Sequence, residues 1–205
     1  MSDLISIDPL ANKERDNYKL MIGSIIPRPI AFVTSLGEDG TLNGAPFSYF
    51  NVVSSNPPMI SISIQRKGTE LKDTSHNIVN SKEFVVHIVD EDNVEKINKT
   101  AANLPSNESE IKIAGLTEVP STIVSVPAIK EAEIRMECIL DQVVELGGTD
   151  SPGTDLIIGK IVQFHISKEI YEDGRIDPRG LGAISRLAGS SYAKIGEIFD
   201  IDRPK

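Results

Sequence analysis

Three histidines, His76, His87 and His165, and one cysteine, Cys138, are the side chains best suited to proton transfer, nucleophilic attack or metal ligation. The histidines lie far apart and make no H-x-x-x-H or related ligand spacing. Cys138 has no Cys-x-x-Cys partner. The histidines are read as satisfied structural or surface groups and the thiol as buried. No G-x-S-x-G elbow, H-E-x-x-H pair or phosphate-cradling G-x-x-x-x-G-K-[ST] run occurs. No catalytic side chain and no metal site is therefore assigned. If the chain is an enzyme, a bound organic cofactor carries the reactivity.

Two segments carry more chemistry than a core requires. Residues 43–51, NGAPFSYFN, put small residues, hydrogen-bonding groups and aromatic rings in one strand, where a pure core strand would use Val, Ile and Leu. The bland alternative is an edge strand with polar outward positions. In Leu71-Lys72-Asp73-Thr74, either Asp73 or Thr74 is placed to cap a helix running towards Asn80. Free N–H groups at that helix start, with Lys72 and a hydroxyl beside them, suit a phosphate. The alternative is a capped helix and nothing more. Arg66-Lys67 either adds charge to the same spot or forms a solvated turn.

The elements that must position these segments are strand-rich. Residues 11–21 have the pattern of a short amphipathic helix, and Pro27 and Pro29 exclude helix around Arg28. Residues 30–36 predict a buried strand, Gly37-Glu38-Asp39-Gly40 a hairpin turn, and residues 42–50 the returning strand. Met59 to Ile64 alternates with period two, so Ser61 and Ser63 share a face. Residues 69–80 predict a helix, 84–89 a strand and 91–102 a further helix. Residues 131–146 predict a long strand with a bulge, 147–153 a turn, 156–166 a last long strand and 180–198 short helical stretches. Strict β-α-β alternation is missing and no G-x-G-x-x-G follows a strand, which disfavours a doubly wound dinucleotide domain. A mainly β, Greek-key or barrel-like fold with a few short covering helices fits better.

At 205 residues, 40% of them hydrophobic, the chain can bury one sizeable core. No apolar run approaches the ~18 residues of a membrane span. The beginning, MSDLISIDPL, lacks the basic and apolar regions of a signal peptide, so a cytoplasmic location is expected. A net charge of −9 argues against a general nucleic-acid or anionic-membrane surface. It leaves room for a small basic phosphate pocket.

Taken together, the segments resemble the flavin reductase-like, FMN-binding split-barrel family. The resemblance rests on Pro27-Arg28-Pro29-Ile30-Ala31-Phe32-Val33, on Asn43 to Phe50, on Pro57-Pro58, and on Lys72-Asp73-Thr74 with Asn77. Phe84-Val85-Val86, Gly159-Lys160-Ile161-Val162 leading to His165, and Arg186 to Tyr192 complete it. It covers about residues 15–200 of what reads as a single domain over 1–205.

The resemblance implies a homodimer of six-stranded split barrels with FMN near the dimer interface. Asn43, Ala45, Pro46, Phe47 and Ser48 would run along the flavin, and Ser61 and Ser63 would face the same groove. Lys72, Asp73, Thr74 and Asn77 would serve the phosphate end. Arg28 would either make a structural ion pair or approach the ligand. The family's Arg-Leu-Gly-Gly ending is here Arg186-Leu187-Ala188-Gly189, a small departure from the closest backbone approach. The implied activity passes electrons from NAD(P)H through FMN to a flavin, ferric or other small-molecule or protein acceptor, with no nucleic acid or membrane involved. Two other readings compete: an FMN-containing electron carrier reduced by a protein partner, and a non-redox module that kept the barrel.

Overall fold

The computed structural model describes residues 3–102, 105 and 108–204. Helix α1 (Glu14–Ser24) is followed by β1 (Arg28–Pro29), β2 (Ala31–Leu36), β3 (Leu42–Phe47), β4 (Phe50–Ser55) and β5 (Pro58–Gln65). Then come α2 (Asp73–Ser81), β6 (Glu83–Ile88), α3 (Val94–Lys99), α4 (Glu110–Ala114), β7 (Glu118–Val119) and β8 (Ala128–Ile129). The long strands β9 (Ile134–Leu146) and β10 (Thr154–Ile166) precede β11 (Tyr171–Glu172), β12 (Arg175–Ile176), α5 (Pro178–Leu181), β13 (Ser185–Arg186) and β14 (Tyr192–Ala193).

Seven strands form one antiparallel sheet in the order β3-β2-β6-β9-β10-β5-β4. Its two edges, β3 and β4, are separated in sequence only by Ser48 and Tyr49. Laid flat, seven strands at ~4.8 Å spacing would hold those edges about 29 Å apart. The three Cα–Cα steps from Phe47 to Phe50 reach about 11 Å at most. The sheet must therefore curl until its edges meet, and it closes as a barrel split at Ser48–Tyr49. The expected single strand over 42–50 is thus two strands, with the break where the chain leaves one edge for the other. That break makes the sheet seven-stranded rather than six-stranded.

Alternation then sorts the side chains. Ile60, Ile62 and Ile64 point into a core with Val33, Ile78, Phe84 and Ile157, while Ser61 and Ser63 face outward. A second core, including Phe32, Ile97, Ile111 and Ile129, packs α3, α4 and the segment before β9 onto the outside of the barrel. Among the described residues no helix is long and apolar enough to cross a membrane.

Other boundaries shift for local reasons. Helix α1 starts three residues later than expected, because Asp8 closes a turn by accepting from Leu10 N and Ala11 N. Helix α2 starts at Asp73, after an exposed turn that pairs Lys67 with Glu70. The bulge expected in the first long strand falls at Asp141, and a second falls at Val162 in its partner. Residues 185–193 form a hairpin rather than helix. Its turn places Gly189 at φ +60°, while Ala188 is not among the positive-φ residues. The backbone conformation at position 188 therefore does not itself require glycine.

Candidate functional site

The expected site residues fall into two groups on either side of the barrel's split. Asn43 is buried at the start of β3 and its Nδ2 donates to both carboxylate oxygens of Glu110, at 3.2 Å each. Its Oδ1 accepts from Thr74 Oγ1 at 2.9 Å and Ser35 Oγ at 3.3 Å, and Asn77 Nδ2 donates to Ser35 Oγ at 3.2 Å. This network ties α2, β2, β3 and α4 together. Glu110, which sequence reasoning missed, also accepts from Gly44 N. Burial raises the Glu110 pKa, partly offset by those donors. Gly44 is required here: a Cβ would lie 2.5 Å from Ile111 Cδ1 and 2.7 Å from Phe32 Cζ.

Two expectations are corrected by this network. Neither Asp73 nor Thr74 caps α2; the cap position is Lys72, with no side-chain cap bond. Thr74 is 2% exposed and its hydroxyl proton is committed to Asn43, so it does not present a donor at the surface. The helix keeps free N–H groups in its first turn, with Lys72 and Asp73 exposed beside them. Arg66 does not reinforce that spot. Its Nε donates to Asp155 at 2.9 Å and its Nη2 to Asp155 and Glu145.

The second group lines an open cleft of about 500 Å³ between α1, β1, β4 and β5. Ser48, Ser61 and Ser63 stand on its wall with Tyr49, Asn51 and Arg28. Arg28 is 6% exposed and donates to the carbonyls of Ile22 and Ile25 at the end of α1 and of Leu187 after β13. It thereby staples the C-terminal hairpin to the N-terminal helix, and among the described residues it makes no ion pair, which was one alternative for it. Its Nε and the Tyr49 hydroxyl are buried and have no hydrogen-bond partner among the described residues. Burial raises the Tyr49 pKa, so the phenol stays a donor. The three serines are open to a ligand in the cleft, and the two orphaned donors belong to residues of the same wall. Pro46, Phe47 and Ser48 line a smaller adjoining chamber, and Ala45 packs against the barrel core.

Two further reactive residues, His87 and Cys138, are structural. His87 is fully buried; Nδ1 faces Phe32 O and Nε2 accepts from Ile129 N, each at 3.0 Å. Burial lowers its pKa to about 3, which keeps it neutral. Cys138 is fully buried, and burial raises its thiol pKa. Among the described residues no group of three or more His, Cys, Asp or Glu side chains could hold a metal.

The cleft also fits a flavin mononucleotide in size and chemistry. Its volume lies within the roughly 300–1,000 Å³ of small-molecule sites. The serines and the residues that carry the orphaned donors suit the carbonyls and hydroxyls of such a ligand; the uncapped α2 start, which is not part of the cleft wall, suits an anion.

Comparison with known proteins points to a flavin family. Residues 22–180 match the family described as the flavin reductase like domain. An uncharacterized protein of Halalkalibacterium halodurans is 47% identical over 203 residues, covering 98% of this chain and 97% of the relative. The crystal structure of nitrilotriacetate monooxygenase component B from Bacillus cereus superimposes with a TM-score of 0.97 at 58% identity, covering 98% of this chain and 100% of that one. The 2-nitrobenzoate 2-nitroreductase of Pseudomonas fluorescens gives 0.88 at 30% identity, covering 98% and 96%.

Proposed function

The chain belongs to the flavin reductase-like domain family, and from that membership we propose that it is an FMN-dependent oxidoreductase that passes electrons from NAD(P)H to a flavin, ferric or other acceptor. The observation that carries the reading is the cleft at the split, lined by Ser48, Ser61 and Ser63 together with Arg28 and Tyr49, whose buried Nε and Oη have no partner among the described residues. Bound FMN would supply the chemistry, hydride acceptance at its ring and onward electron transfer. The protein's part is to bind and orient. The serines and the two orphaned donors hold the ligand's polar edge, and Lys72 with the first N–H groups of α2 meets the phosphate. Asn43, Thr74 and Asn77 act one step back, by holding β3 and α2 in register through the buried network. Ala45, Pro46 and Phe47 shape the same strand. No side chain here has to move a proton. That similar proteins are named as a monooxygenase component and a nitroreductase supports a redox role.

The working unit in this reading is a homodimer. Leu4, Ile5 and Leu10 near one end of the chain and Phe199 and Ile201 near the other are each more than 70% exposed. Such exposed apolar side chains are suited to cover by a second copy. Light scattering should give twice the chain mass; a monomer that still binds flavin would refute the pairing.

The absorption spectrum tests the function. Purified protein loaded with FMN should be yellow and bleach with NADH or NADPH without oxygen. Bleaching only with a redox partner would support the carrier reading instead. A protein that fails to quench FMN fluorescence, or that binds FAD clearly more tightly, would overturn the FMN assignment.

A further inference from the structure

Beside the cleft lies a second, more enclosed chamber of about 180 Å³, and Ser48 belongs to the walls of both. Ile30, Phe47 and Ile97 make its sides apolar. Among the described residues its one cation is Arg186, on β13, whose guanidinium lies over the ring of Tyr192, its cross-strand partner on β14, 4.4 Å from the centroid. The stack is held at both ends: Arg186 Nη2 donates to Gly189 O at 2.6 Å, and the Tyr192 hydroxyl donates to Asn98 Oδ1 at 2.9 Å. Among the described residues Arg186 has no carboxylate partner, and its Nε and Nη1 make no hydrogen bond. In a chain of net charge −9, a fixed and unneutralised guanidinium at an apolar chamber is a specific arrangement.

We propose that this chamber binds a small monocarboxylate whose apolar body is about one six-membered ring. The volume sets the size, since a cavity of about 150 Å³ accommodates a benzene ring. The charge sets the anion: guanidinium and carboxylate match as two parallel N–H···O bonds, and Arg186 has donors left for them. Rigidity favours binding, because the stack orders the cation before the ligand arrives. The site stands independently of what fills the neighbouring cleft. Its use as the seat of an organic electron acceptor, contiguous through Ser48, rests on the flavin reading.

Benzoate is the probe and benzamide its neutral counterpart, each titrated into the full chain without flavin and followed by amide NMR shifts and calorimetry. Benzoate should shift Phe47, Ser48, Asn98 and the Arg186–Tyr192 hairpin, and should bind about tenfold or more tighter than benzamide. Arg186→Gln should bring the two ligands to similar affinity. Ala101→Leu, which fills the chamber from its rim, should abolish binding of both while leaving Arg186 in place. The proposal is overturned if benzoate binds no better than benzamide, if its shifts fall elsewhere, or if either folded variant behaves as the parent. Benzoate binding in a protein that takes no FMN would support the chamber and remove only the flavin reading.

Discussion

Glu137 Oε1 lies 2.6 Å from Nε2 of His165 on the neighbouring strand β10, and the carboxylate itself is wholly buried. The same carboxylate accepts from the N–H groups of Thr122, Ile123 and Val124, so one side chain straps the segment before β8 onto the barrel. Burial opposes its charge, but the Thr122 N–H, His165 and the Val124 and Ile123 N–H groups outweigh it and hold the pKa down at about 2.

A depressed carboxylate stabilises the fold above its ordinary pKa of 4.5, and that contribution is lost as pH falls towards 2. Glu137→Gln should lower stability at pH 7 by roughly 2–3 kcal/mol, because bonds to a charged acceptor are lost. It should also flatten the acid limb between those two values. Denaturant melts across pH check both; an unchanged acid limb would refute the assignment.

Asp90 works in the opposite direction. Burial raises its pKa to about 6, against the N–H groups of Asn93 and Asp92 that favour the charge. The folded state thus favours the protonated acid. Its contribution is full below the ordinary 3.8 and is lost as pH rises through 6. Carboxyl-carbon NMR should show Asp90 titrating near 6, and Asp90→Asn should remove the matching loss of stability. A midpoint at or below 4 would exclude this environment.

Tyr49→Phe separates ligand binding from folding. It removes a buried hydroxyl that has no partner among the described residues, so ligand-free stability should hold or rise. FMN affinity should fall about two- to tenfold, the worth of one neutral hydrogen bond. Thermal melts and fluorescence quenching measure the two effects; equal FMN affinity in the variant would take Tyr49 out of the site.

Thr74→Val tests the buried network. The hydroxyl donates to Asn43, so its loss should cost about 1 kcal/mol of folding stability. FMN and riboflavin should then weaken equally, since riboflavin lacks only the phosphate. A loss confined to FMN would show Thr74 at the phosphate instead.

The sequence by itself determined what depends on neighbours along the chain. The period-two run from Met59 to Ile64 puts Ser61 and Ser63 on one face and three isoleucines on the other, and that is how they stand. The glycines of residues 37–40 close the hairpin between β2 and β3. Tertiary structure decided what depends on closure. A seamless run over 42–50 becomes two edge strands because the sheet curls, and only then does Ser48 fall at the junction of cleft and chamber. Thr74 meets Asn43 across 31 residues, Asn43 meets Glu110 across 67, and Arg28 reaches the Leu187 carbonyl across 159. Periodicity is a local property of the backbone, whereas a buried donor takes whichever acceptor the fold brings within about 3 Å, and nothing local names that acceptor.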